Sequence, residues 1–147
     1  EEGGKEWEVS IMRGQRLEWP RAAPVVVIAC VSQTRCRDVV EALQTFDSRC
    51  AVGRLFGPAK VWEEHQRLQA ALKNCRVVVG TPGRLLRNAQ RSAFDLHHLR
   101  VVLVDLWVDS KARTLASMQE TRQDLVNLLL GPLWETLDKH DASIAYI

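Results

Sequence analysis

The chain has 147 residues, enough for one domain with a sizeable buried core. A 46% hydrophobic and 26% charged composition is ordinary for a globular protein, and a net charge of +2 with pI near 8.5 is too mild to argue by itself for a polyanion partner. No apolar run reaches the roughly 18 residues of a membrane span, and no signal-peptide pattern opens the chain, so a membrane role is not expected.

Glu1 to Ala23 shows no sustained period. Gly3, Gly4, Gly14 and Pro20 punctuate it, while Trp7, Ile11 and Trp19 stand as spaced apolar anchors. This reads as an extended arm, residues 1–23, before a domain over 24–147. Because the first residue is Glu1 and not Met, the chain is expected to be a piece of a longer protein.

From Pro24 the pattern changes. Val25 to Val31 is a continuous apolar run, as in a strand covered on both faces. Ser32 suits the N-cap of a helix that turns Val39, Val40, Leu43 and Phe46 inward. A short strand over 51–56 and the break Gly57-Pro58 follow. Next comes a helix from about Ala59 to Lys73, with Val61, Trp62, His65, Leu68 and Leu72 at helical spacing.

Arg76 to Val79 is a further strand, Pro82 to Gln90 a helix and Arg100 to Val104 another strand. An amphipathic helix is predicted over Ala112 to Leu130 and stops at Gly131-Pro132. Leu133, Trp134, Leu137 and 144–147 allow one more short element. Strands alternating with helices at this spacing imply βαβ units, hence a parallel sheet flanked by helices with right-handed crossovers.

The four cysteines, Cys30, Cys36, Cys50 and Cys75, form no Cys-x-x-Cys pair and are expected as free structural thiols in a reducing compartment. Cys30 with Arg35 does not make a phosphatase loop, which needs one more intervening residue. His97 and His98 lack a third ligand at a sensible spacing and read as loop residues. His65 reads as packing at the edge of the core, and Trp62 and Trp134 as core. Trp107 at the mouth of the sheet suits either burial or stacking on a base or partner.

The chemistry concentrates at strand ends. At Gly80-Thr81-Pro82-Gly83-Arg84, Gly80 permits a bend, Thr81 caps and Pro82 fits the first helical position. Gly83 leaves amides unshielded, and Arg84 and Arg87 add charge on one helix face. Such a turn holds phosphate, or it merely starts a helix with solvated arginines. Ser32 and Thr34 follow the first strand and would emerge on the same edge as Thr81, with Arg35 and Arg37 either extending one phosphate track or standing as solvated arginines beside a plain N-cap.

An ATPase would need a Gly-x-x-x-x-Gly-Lys-Ser/Thr loop and paired acids. Gly3-Gly4-Lys5-Glu6 has neither spacing nor context, and Leu106 follows Asp105 where a second acid belongs. Asp105 therefore reads as a strand-end or capping residue. No enzyme, cofactor or metal is expected.

Val25 to Leu43, Val77 to Leu85 and Leu99 to Asp105 resemble the first RecA-like lobe of DEAD-box RNA helicases. The likeness to Cms-type small-subunit ribosome biogenesis factors is closer, over about Pro24 to Leu130. It rests on Val31-Ser32 with Arg35, Leu55-Phe56, Val79-Gly80-Thr81-Pro82-Gly83-Arg84, and Val104-Asp105 with Trp107, Asp109, Lys111 and Arg113. The resemblance implies a single RecA-like (P-loop NTPase-like) α/β domain without ATPase motifs. It also implies a non-catalytic nucleolar scaffold of the early small-subunit pre-ribosome, serving 18S rRNA maturation. Its partners would be pre-ribosomal RNA and other small-subunit assembly factors, with RNA contacts at Ser32, Arg35, Thr81, Gly83, Arg84 and Arg87. The alternatives are a fragment of an ATP-dependent RNA helicase and a module that binds protein only.

Overall fold

The computed structural model describes residues 23–71, 76–139 and 142–147. The expected arm lies almost entirely outside these residues. Five strands alternate with helices: β1 (Val26–Ala29), α1 (Gln33–Phe46), β2 (Gly53–Leu55), α2 (Val61–Ala71), β3 (Val77–Gly80) and α3 (Pro82–Gln90). A 3₁₀ turn (Leu96–His98), β4 (Val101–Val104), α4 (Gln119–Leu130), α5 (Trp134–Lys139) and β5 (Ser143–Tyr146) complete the order.

All pairings are parallel, in the order β2-β3-β1-β4-β5. The central strand β1 sets Ile28 beside Val79 of β3 and Leu103 of β4. Because side chains alternate along a strand, its residues serve two cores. Val27 and Ala29 join Val78, Val102, Leu68, Leu85, Leu125 and Leu128 on the face covered by α2, α3 and α4. Ile28 joins Val79, Val52, Cys36 and Val40 on the face covered by α1. This double cover explains unbroken apolar strands where a half-exposed sheet would alternate.

Several expectations are corrected. Phe46 is 93% exposed, since the helix ends there and Asp47, whose N–H reaches Leu43 O, turns the chain away. The long helix starts at Gln119 and not at Ala112: Ala112 has φ +57° and Thr114 and Ser117 exchange turn hydrogen bonds. Trp134 is 51% exposed on the outside of α5, where Leu133 takes the core position. Gly80 is extended and does not bend the chain. A side chain there would meet Leu55 Cβ and Leu55 O at 2.9 Å, so glycine is needed for close packing.

Cys30 and Cys36 are free and buried, but Cys50 is disulfide-bonded. Spacing alone did not show that bond, because pairing depends on proximity in space. The hydrogen bond to Cys30, together with burial, holds the Cys36 thiol well above its ordinary range. Among the described residues no helix is long and apolar enough to cross a membrane, and no group of three metal-ligating side chains occurs.

Candidate nucleic-acid interface

A parallel sheet brings every strand's C-terminal end to one edge. Along it lie Phe56-Gly57 after β2, Thr81 after β3, Ser32 after β1 and Asp105 after β4. Ser32 caps α1 as expected, its Oγ accepting from Arg35 N at 3.2 Å. Thr81 is the N-cap of α3 with Pro82 in the first turn, yet its side chain makes no capping bond. Ser32, Thr81 and Gly83 thus share the predicted edge.

The arginines of that edge are engaged with carboxylates. Arg35 donates to Asp105 through Nε at 2.6 Å and Nη2 at 3.3 Å. Asp105 is only 2% exposed, and this bond and the opposite charge raise Arg35 further above its ordinary range. The guanidinium also lies over the Trp107 ring, 5.2 Å from its centre. Trp107 is 38% exposed, so of the two readings open to it burial in the core is not the one observed.

Position gives this pair its meaning. The connection after β1 leaves toward β2, and the one after β4 leaves toward β5. Between two such strands an open sheet has its crevice, where ligands of doubly wound folds sit. Here an ion pair fills it.

The second engagement centres on Glu64 of α2, which sequence reasoning missed. Its side chain is 1% exposed and accepts from Arg84 Nε, from Arg87 Nη2 at 2.8 Å and from Asn88 Nδ2 at 3.1 Å. Arg84 and Arg87 lie one turn apart on α3, so both reach one carboxylate. A signal was present: Glu64 falls one turn before Leu68 on the same stripe of α2, a buried position for an acid and hence one that demands partners. Gly83 is not open either. A Cβ there would meet Asp124 Oδ2 of α4 at 3.0 Å, which sets a carboxylate beside the amides meant for phosphate.

Beyond the strand end, Asp109 organises a turn. It accepts from Lys111 N and Arg113 N, and the Arg113 bonds hold its carboxyl below the usual range. Asp95 likewise accepts from His97 N at the start of the 3₁₀ turn.

The sequence profile of the family described as "CMS1: U3-containing 90S pre-ribosomal complex subunit" matches residues 15–144. The chain belongs to this CMS1 family. The zebrafish protein CMSS1 is 27% identical over 117 residues, 78% of this chain and 40% of that protein. Protein CMS1 of Chaetomium thermophilum is 30% identical over 113 residues, 73% of this chain and 43% of that one. The chain thus spans less than half the length of these CMS1-type relatives. Human ATP-dependent RNA helicase DDX42 is 25% identical over 128 residues, 80% of this chain but 13% of the helicase. Among solved structures, a DEAD box protein from Methanococcus jannaschii superposes with TM-score 0.60 at 16% identity, over 84% of this chain and 30% of that one. The RecA-like fold expected from the sequence is therefore present.

Proposed function

We propose that this CMS1-family lobe is a non-catalytic RNA and protein scaffold in the nucleolar, early small-subunit pre-ribosome and serves 18S rRNA maturation. The observation that carries the reading is Arg35 on Asp105. Asp105, the strand-end carboxylate that the described residues set in the sheet's crevice, is buried beneath a guanidinium of its own chain. A cation would have to displace that fork, and Leu106 supplies no second acid. Family membership supports the pre-ribosomal setting.

RNA would meet the edge at Ser32, Thr81 and Gly83, and at the solvent-facing parts of Arg35, Arg84 and Arg87. Those three cations are largely neutralised, so contacts there are weak, phosphate-directed and indifferent to sequence. A protein-only role is favoured by a different observation. Leu106, Trp107 and Val108 are exposed and adjoin exposed Tyr146 and Ile147, with Leu106 N bonded to Ile147 O. The scaffold reading uses both surfaces.

The test is crosslinking in cells, followed by sequencing of the attached RNA and identification of attached peptides. Pre-ribosomal RNA joined to residues at the strand ends supports the proposal. Peptide adducts without any RNA adduct leave only the protein-binding role.

A further inference from the structure

A cleft lies at the far end of the sheet, where β2 forms the edge. It measures about 530 Å³ and is lined by Gln33 and Arg37 of α1, Arg54 and Phe56 of β2 and its exit, and Arg67 of α2. Three guanidiniums from three elements converge on it, and no carboxylate is among its described lining residues. Among the described residues, no ion pair engages Arg37, Arg54 or Arg67. Among the described residues, the side-chain hydrogen bond these arginines make is a long one, from Arg54 Nη2 to Gln44 Oε1 at 3.4 Å. Arg35, Arg84 and Arg87 have their charge met inside the protein, whereas these three do not.

From this contrast we infer that the Arg37–Arg54–Arg67 cleft is the principal seat for the phosphodiester backbone of single-stranded RNA. The inference rests on the proposed RNA-binding role and relocates its main contact. Planar guanidiniums grip phosphate oxygens in pairs, and convergent cations without acids repel nothing in a polyanion. Half-buried Phe56 and neighbouring Pro58 give the cleft an apolar wall, on which a base can rest while its phosphates meet the arginines. The volume suits a nucleotide.

The cleft is also continuous with the strand-end edge. Gly57, at φ +82°, bends the β2 exit so that its Cα faces Gln33 Nε2, and Thr81 N donates to Leu55 O beside it. A strand seated here would run on toward Thr81 and Ser32.

The experiment measures binding of a labelled oligouridylate by fluorescence anisotropy at several salt concentrations. It uses the 147-residue chain and two triple variants. One carries Arg37→Gln, Arg54→Gln and Arg67→Gln. The control carries Arg76→Gln, Arg100→Gln and Lys139→Gln, removing equal charge near the N-terminal ends of β3, β4 and β5. All six side chains are exposed, and thermal melts confirm folding. The cleft variant should lose at least about tenfold in affinity and flatten the log–log salt dependence by about 2, with the control at wild type. Equal losses in both variants assign the effect to net charge and overturn the cleft. Wild-type affinity in the cleft variant overturns the cleft while leaving the RNA role standing. No binding of the oligonucleotide by the wild-type chain, with or without capture of an acidic phosphopeptide probe, overturns both.

Discussion

Arg35 reaches from the first turn of α1 across to Asp105 at the end of the neighbouring strand and holds it with two hydrogen bonds. The residue best placed to serve a motor is thereby a structural partner. Removing the cation strands a buried carboxylate. Arg35→Ala should cost about 2–3 kcal/mol in urea unfolding, just below the range for broken fully buried pairs because the guanidinium keeps contact with solvent. Arg35→Met with Asp105→Leu should recover most of it. A cost below about 0.5 kcal/mol for Arg35→Ala would show that the pair does not hold the crevice shut.

Glu64 is the hub for Arg84, Arg87 and Asn88. Glu64→Gln keeps the shape and removes the charge that binds two guanidiniums. The expected result is lower stability by about 2–4 kcal/mol, with tighter and more salt-sensitive RNA binding as two cations are released. Unchanged RNA affinity in a folded variant would mean that Arg84 and Arg87 do not face the RNA.

His65 is buried in α2, and desolvation holds its pKa below the ordinary value of 6.5. The unfolded chain therefore takes up a proton at a pH where the folded chain does not. Stability should be full above about pH 7 and fall as the pH drops through 6.5, by up to about 1.4 kcal/mol per unit, until the folded histidine itself protonates. Urea unfolding from pH 7.5 to 5 reads this directly, and a stability that rises on acidification would contradict it.

Gly80→Ala places a methyl 2.9 Å from Leu55 Cβ and from Leu55 O, which is backbone and cannot step aside. The strands must part, at about 1–3 kcal/mol. The melting temperature should fall by several degrees, with the circular dichroism of the native state little changed.

How far the sequence alone leads depends on the range of the interaction. Runs such as Val77-Val78-Val79 announced strands buried on both faces, because that signal lies within the run itself. Ser32 and Pro82 announced helix starts for the same reason. Glu64 meets Arg84 and Arg87 from 20 and 23 positions away, and Arg35 meets Asp105 from 70. Nothing local tells a solvated arginine from a paired one. Arg54 and Arg67 belong to no motif, and they meet Arg37 of the first strand's exit only because α1 and α2 flank the edge strand β2. Phe46 and Trp134 misled because a helix end releases the inward face that periodicity assigns.

The proposed role turns on Asp105 being locked in an ion pair with Arg35 and so closed to a metal. Its most direct test is nucleotide turnover by the full-length protein, with Mg-ATP and with or without single-stranded RNA. The account predicts no RNA-stimulated release of phosphate and no tight Mg-ATP binding by calorimetry. Tight binding accompanied by RNA-stimulated hydrolysis, abolished by Asp105→Asn, would contradict it.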